Sequence, residues 1–166
     1  MPRSFILLLL SCLSFANCSG QMGAAVSKSD ASETNYSNSK IIKMTNGQSL
    51  AYIEKGSGEQ TLLMIHGLGN NSLAWKKMME NLQADFRCIA IDLPNYGLSQ
   101  AADHPFTMSA FALTVQQFSL KMQLQNVVLI GHSMGGQIAM TTVLETDAPI
   151  RKMVLRRLRI RNIYRK

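Results

Sequence analysis

At 166 residues with 46% hydrophobic content, the chain has the length of one domain and enough apolar material for a packed core. Its 17 lysines and arginines against 10 acids give a net charge of +7, but eight of those cations stand in residues 151–166, where there is no acid. The remainder carries nine cations against ten acids, so the basic balance belongs to a tail, and the body is excluded as a nucleic-acid binder.

The first residues join one cation, Arg3, to an apolar run from Phe5 to Leu13 and small residues at Ser14 and Ala16, the layout of a secretory signal peptide over 1–18. The run is too short to span a bilayer as a helix. No transmembrane span is expected, and the chain is expected to be exported, whether to the periplasm, to the exterior or to a lipid anchor on the envelope. Cys18 and Cys12 are the two candidates for a lipid-modified cysteine. A buried N-terminal helix or strand is the competing reading of the apolar run. Residues 19–39 are polar and small, the composition of a flexible tether. The folded region is then expected over 40–155, with Cys88 as a small buried hydrophobe and no structural disulfide.

Ile41 and Lys43, then Leu50 and Tyr52, flank Thr45-Asn46-Gly47 and predict two strands joined by a tight turn. Thr61 to Ile65 is an almost wholly apolar run, as in a strand covered on both faces. His66-Gly67-Leu68-Gly69-Asn70-Asn71 follows as a glycine-rich turn. Asn71 or Ser72 is placed to cap a helix that buries Leu73, Met78, Met79 and Leu82. Beside such a turn His66 reads as a loop-orienting residue in preference to a catalytic base. Phe86 to Ile91 is the next buried strand, and Asp92 at its end reads as a hydrogen-bond acceptor for its own loop. Thr107 to Leu124 has the pattern of an amphipathic helix, with Phe111, Val115, Phe118 and Met122 on one stripe.

Val127 to Ala139, VVLIGHSMGGQIA, is an apolar strand, a sharp turn and a helical pattern. Gly131-His132-Ser133-Met134-Gly135 fills the Gly-x-Ser-x-Gly template, in which glycines stand where a Cβ would clash and the serine hydroxyl is presented from a strained strand-to-helix turn. The free N–H groups of the helix start favour negative charge beside that hydroxyl. Strands alternate with helices from Thr61 onward, which predicts a parallel sheet with ligands beyond the carboxyl ends of its strands. His66-Gly67, Asp92 and Ser133 all fall at such ends.

Three segments, HGLGNNSLAW at 66–75, DLPNYGLS at 92–99 and GHSMGG at 131–136, stand in the order found in the α/β-hydrolases, and over roughly 40–155 the chain resembles the N-terminal half of that family. Asn95 departs from the family's usual glycine, at a position where asparagine tolerates left-handed backbone angles. The resemblance implies an α/β fold with a mostly parallel, doubly wound sheet, incomplete at the C-terminal side. It implies Ser133 as nucleophile, the backbone amides of Leu68 and Met134 as an oxyanion hole, and His66, Gly67, Asp92, Gly131 and Gly135 as loop supports. It implies a small-molecule acyl substrate, an ester, thioester or amide, and neither metal nor organic cofactor.

The mechanism meets an obstacle. A serine needs a base oriented by an acid, and in this fold both follow it in the chain. No histidine follows Ser133. The only later acids, Glu145 and Asp147, close the next helix and are expected to face solvent; His132 should leave the turn in another direction, and His104 lies in a loop. After Leu155 the composition changes to RRLRIRNIYRK, a basic tail over 156–166. That change predicts a shortened or frame-shifted product, so that two readings stand: a serine hydrolase lacking its base and acid, or a noncatalytic binding module of the same fold.

Overall fold

The computed structural model describes residues 7–9, 36–102 and 105–156, the first three as backbone alone. The signal-peptide and tether expectations, Cys12, Cys18, His104 and the tail from 157 onward lie outside the described residues, apart from Leu7–Leu9 and the end of the tether.

Seven strands form one sheet: β1 (Leu7–Leu9), β2 (Ser39–Lys43), β3 (Ser49–Lys55), β4 (Thr61–Ile65), β5 (Arg87–Ile91), β6 (Val127–His132) and β7 (Ile150–Arg156), in the order β1-β7-β6-β4-β5-β3-β2. The β2–β3 hairpin turns at Gly47, whose φ of +86° suits a residue without a Cβ. β2–β3 and β3–β5 are antiparallel, and every other pairing is parallel. After β1, the described strands and helices run from Ser39 to Arg156.

β4, β5 and β6 are buried on both faces because their side chains alternate between two cores. Leu63, Ile65, Ile89, Ile91, Val127 and Leu129 turn to the side covered by α2 (Met108–Lys121) and α3 (Met134–Glu145), where they meet Phe111, Val115, Phe118 and Ile138. Leu62, Met64, Cys88, Ala90, Val128 and Ile130 turn to the other side, onto Trp75 and Met79 of the segment containing α1 (Lys76–Leu82). Cys88 is a fully buried free thiol, and burial pushes its pKa up. Thr107 caps α2 by accepting from the Ala110 N–H.

One expected face is corrected. Met78 is exposed, and Leu73 and Leu82 are only partly buried, while Trp75 and Met79 carry the contact. A 3-10 turn over Ser72–Trp75, with Asn71 as its cap, precedes α1. It advances the chain by three residues per turn and rotates the following helix out of the phase that an uninterrupted α-helix would keep.

From β4 the chain passes through α1 to β5, then through α2 back across β4 to β6, and on through α3 to β7. The direction of winding reverses beside β4, so the carboxyl ends of β4 and β6 flank the crevice in which such sheets bind ligands.

Candidate active site

Ser133 stands between β6 and α3 at φ +53° and ψ −116°, a conformation that costs a side-chain-bearing residue strain energy. Its N–H donates to the Arg156 carbonyl at 3.0 Å, and its own carbonyl accepts from Gly136 and Gln137 as α3 begins. The residue is half-buried. The glycines on either side are required by proximity. A Cβ on Gly131 would overlap the backbone of Gly135 and Gly136, and one on Gly135 would overlap the carbonyl oxygens of Ile65 and His66. The elbow is thereby pressed against the end of β4.

The loop after β4 meets it there. A Cβ built on Gly67 would stand 3.4 Å from the Ser133 Cβ and 3.2 Å from the His132 carbonyl oxygen, so the peptide leading to Leu68 borders the serine. Met134 is the first residue of α3, and its N–H has no acceptor within the helix. Among the described residues neither the Leu68 nor the Met134 amide donates a hydrogen bond. Leu68 is 71% exposed, whereas Met134 is buried.

His66 and Asp92 are fully buried and hold the loops together. The Leu93 N–H donates to Nε2 of His66 at 3.1 Å, and Nδ1 lies 2.8 Å from the Gly67 carbonyl. Because Leu93 must donate, Nε2 is the acceptor, the proton sits on Nδ1, and the ring is neutral. Burial lowers the His66 pKa against the raising effects of the Gly67 bond and the Asp92 charge. Asp92 accepts from the Ser72 N–H at 2.6 Å and the Leu98 N–H at 2.9 Å, one loop on each oxygen. Asn95, in the same loop, stands at φ +71°.

Sequence reasoning missed Tyr96. Its ring packs edge-on against His66 at 4.9 Å between centroids, and its hydroxyl approaches Met134 Sδ at 3.9 Å, tying the β5 loop to the start of α3. Its position inside the DLPNYGLS segment was the available signal. Trp75 and Arg156 were missed too. They line a cavity of about 220 Å³ together with His66, Asn70, Ala74 and His132. Glu145 is exposed and accepts from the Ser109 hydroxyl, and Asp147 is also exposed. Among the described residues no side chain hydrogen-bonds the Ser133 hydroxyl, no group of three His, Cys, Asp or Glu is placed to hold a metal, and no helix is long and apolar enough to cross a membrane.

A family model described as the alpha/beta hydrolase fold matches residues 60–158. The chain is similar to an uncharacterised hydrolase of Bacillus subtilis, 33% identical over 99 residues that make up 59% of this chain and 36% of that one. It is also similar to the (E)-2-((N-methylformamido)methylene)succinate hydrolase of Acinetobacter baylyi, 30% identical over 128 residues, 77% of this chain and 47% of that one. Among solved structures an esterase from Exiguobacterium antarcticum aligns with a TM-score of 0.64 at 28% identity, over 70% of this chain and 44% of the esterase. The chain thus spans between about a third and a half of the length of these curated relatives. With the matched residues running from β4 through the elbow to the end of β7, this chain belongs to the α/β-hydrolase family.

Proposed function

We propose that this chain carries the nucleophile of a serine hydrolase that cleaves a small ester, thioester or amide through an acyl intermediate on Ser133. The observation that supports the reading is the backbone of Ser133 itself, held at φ +53° by the close approach of β4 and α3. Strain of this kind persists only where surrounding structure enforces it, and here it serves to present a hydroxyl. In the reaction the Oγ–carbon bond forms as the Oγ proton leaves to a base, and the carbonyl π pair moves onto oxygen. The amides of Leu68 and Met134 then donate to that oxyanion. When it collapses, the alkoxide, thiolate or amine departs and takes up a proton.

The sequence has no histidine after Ser133 to serve as the base. Without one, rates fall by several orders of magnitude while binding and oxyanion stabilisation leave a remainder. For this chain, p-nitrophenyl acetate turnover is expected at least about a thousandfold below ordinary enzyme rates. A fluorophosphonate, which needs the same activated hydroxyl, is expected to label Ser133 only slowly, with labelling abolished in Ser133→Ala. Folded protein that resists the reagent even on prolonged exposure would favour the second reading, a binding module. We further propose that the chain is exported, with Cys12 or Cys18 as the site of any lipid anchor. N-terminal sequencing of protein recovered outside the cytoplasm checks this.

A further inference from the structure

We propose that Tyr96 is a positioning residue, a strut whose ring sets the spacing between the two amides that would hold the oxyanion. The proposal deepens, and rests on, the reading of Ser133 as an acyl nucleophile.

The two amides belong to different elements. Leu68 follows β4, and the direction of its N–H is set by the peptide it shares with Gly67. The Gly67 carbonyl accepts from Nδ1 of His66 at 2.8 Å and from the Asn70 N–H at 3.2 Å. In a trans peptide the N–H lies opposite the carbonyl, so pinning one aims the other. Met134 begins α3, and its N–H is aimed by the helix. Gly135, lacking a Cβ, lets the start of α3 rest on the carbonyl oxygens of Ile65 and His66. That contact permits the approach of the two arms, and a side chain limits it.

Tyr96 touches both arms. Its ring packs edge-on against the His66 ring, 4.9 Å between centroids, and its hydroxyl stands 3.9 Å from Met134 Sδ. His66 is the side chain that pins the Gly67 carbonyl. A shift of Tyr96 therefore disturbs the pin on the Leu68 peptide and the packing of Met134 together. Sulfur is a weak acceptor, so the ring carries the spacing and the hydroxyl adds little.

The loop that presents Tyr96 is fixed. Asn95 at φ +71° and Gly97 at φ +54° bend the backbone on either side of it, and a left-handed asparagine persists where its surroundings enforce it. The Tyr96 N–H donates to the Leu93 carbonyl at 3.0 Å, and its own carbonyl accepts the Ser99 N–H at 3.1 Å. The Ser99 hydroxyl donates to the Asp92 carbonyl at 2.6 Å and accepts the Ala51 N–H at 2.8 Å, which ties the loop to β3. Behind the ring stands Phe106, 6.3 Å away between centroids, which packs in turn on the fully buried Phe111 of α2 at 4.8 Å. An aromatic side chain so backed is a rigid spacer, because it has only two torsions to lose.

Exchanging C=O for C=S in an ester weakens the acceptor that the two amides would meet. The ratio of acylation rates for p-nitrophenyl acetate and its thiono analogue therefore reads the donors apart from the fold. Rates are taken on the full chain as nitrophenol release beyond that of Ser133→Ala, and the ratio is set against its value in buffer. The wild-type chain is expected to favour the oxygen ester about tenfold beyond buffer, and Tyr96→Leu to lose that preference, chiefly by slowing with the oxygen ester. Tyr96→Phe, which keeps the ring, is expected to stay within about twofold of wild type. Met134→Ala keeps the amide, removes the far end of the strut and is expected to lower the preference too, which serves if Tyr96→Leu fails to fold. Leu98→Ala, at an exposed position of the same loop, is expected to change nothing. A preference unchanged in Tyr96→Leu and Met134→Ala, equal slowing with both esters, or Tyr96→Phe as impaired as Tyr96→Leu would each overturn the strut. Ser133-dependent acylation with an unmoved ratio sinks the strut and leaves the nucleophile standing. No Ser133-dependent acylation by either ester sinks the nucleophile, and the strut with it.

Discussion

At Ser133 function and stability pull in opposite directions. A serine at φ +53° and ψ −116° carries a strain of roughly 1–3 kcal/mol that glycine does not. Ser133→Gly is therefore expected to raise unfolding stability by about 1 kcal/mol while abolishing labelling, whereas Ser133→Ala keeps the Cβ and gains nothing. Urea midpoints of the three proteins check this. His66 sets a pH limit. Its folded pKa lies below the usual histidine value because burial disfavours the cation, so the unfolded chain binds the proton more readily. Its contribution to stability is present in full above about pH 6.5 and is lost as pH falls below that value. Protonation would place an Nε2–H against the Leu93 N–H, donor against donor, and open the contact between the β4 and β5 loops. An NMR titration of the His66 ring should give a midpoint below 6.5, and a midpoint above it would contradict the buried, neutral assignment.

Among the elements, strand positions were legible because turn residues bracket them. β4 occupies Thr61–Ile65 as the apolar run predicts, and the Asn-Gly turn joins β2 to β3. The side buried by α1 was not legible, since nothing in LAWKKMMENL announces that its first turn is 3-10. Nor was the strand order. The sequence shows alternation, but the reversal that seats β4 between β5 and β6 comes from packing α1 on one face and α2 and α3 on the other. The Gly-x-Ser-x-Gly spacing did place the elbow correctly in the chain, and the structure supplies the reason each glycine stands there. Gly135 lies so close to the end of β4 that its extra carbon in Gly135→Ala would press on two backbone carbonyls, Ile65 and His66, which cannot swing aside. That substitution is expected to cost about 3 kcal/mol, read as a fall in thermal midpoint, while Gly47→Ala, whose Cβ would meet nothing but whose φ of +86° strains an alanine, should cost about 1 kcal/mol.

For the whole molecule, the open question is the edge of the sheet. β7 pairs with β6 on one side and, over Met153 to Leu155, with the backbone of Leu7–Leu9 on the other. The same apolar run reads in the sequence as a signal peptide, and a chain cannot keep it as β1 and also lose it on export. If residues 1–18 are removed, the outer side of β7 is left with unpaired N–H and C=O groups, a template for a second copy of the chain. What opposes pairing is charge, because Arg151, Lys152 and Arg156 are exposed on that strand, and two such edges repel when brought together. Salt decides between the two effects, since it screens the repulsion but not the hydrogen bonds. Protein comprising residues 19–166 is therefore expected to stay largely monomeric at low ionic strength and to associate as salt is raised, while the full chain, with β7 covered, changes less. Light scattering on both proteins across a salt series measures this, and equal association by the two at every salt concentration would mean that β1 does not guard the edge.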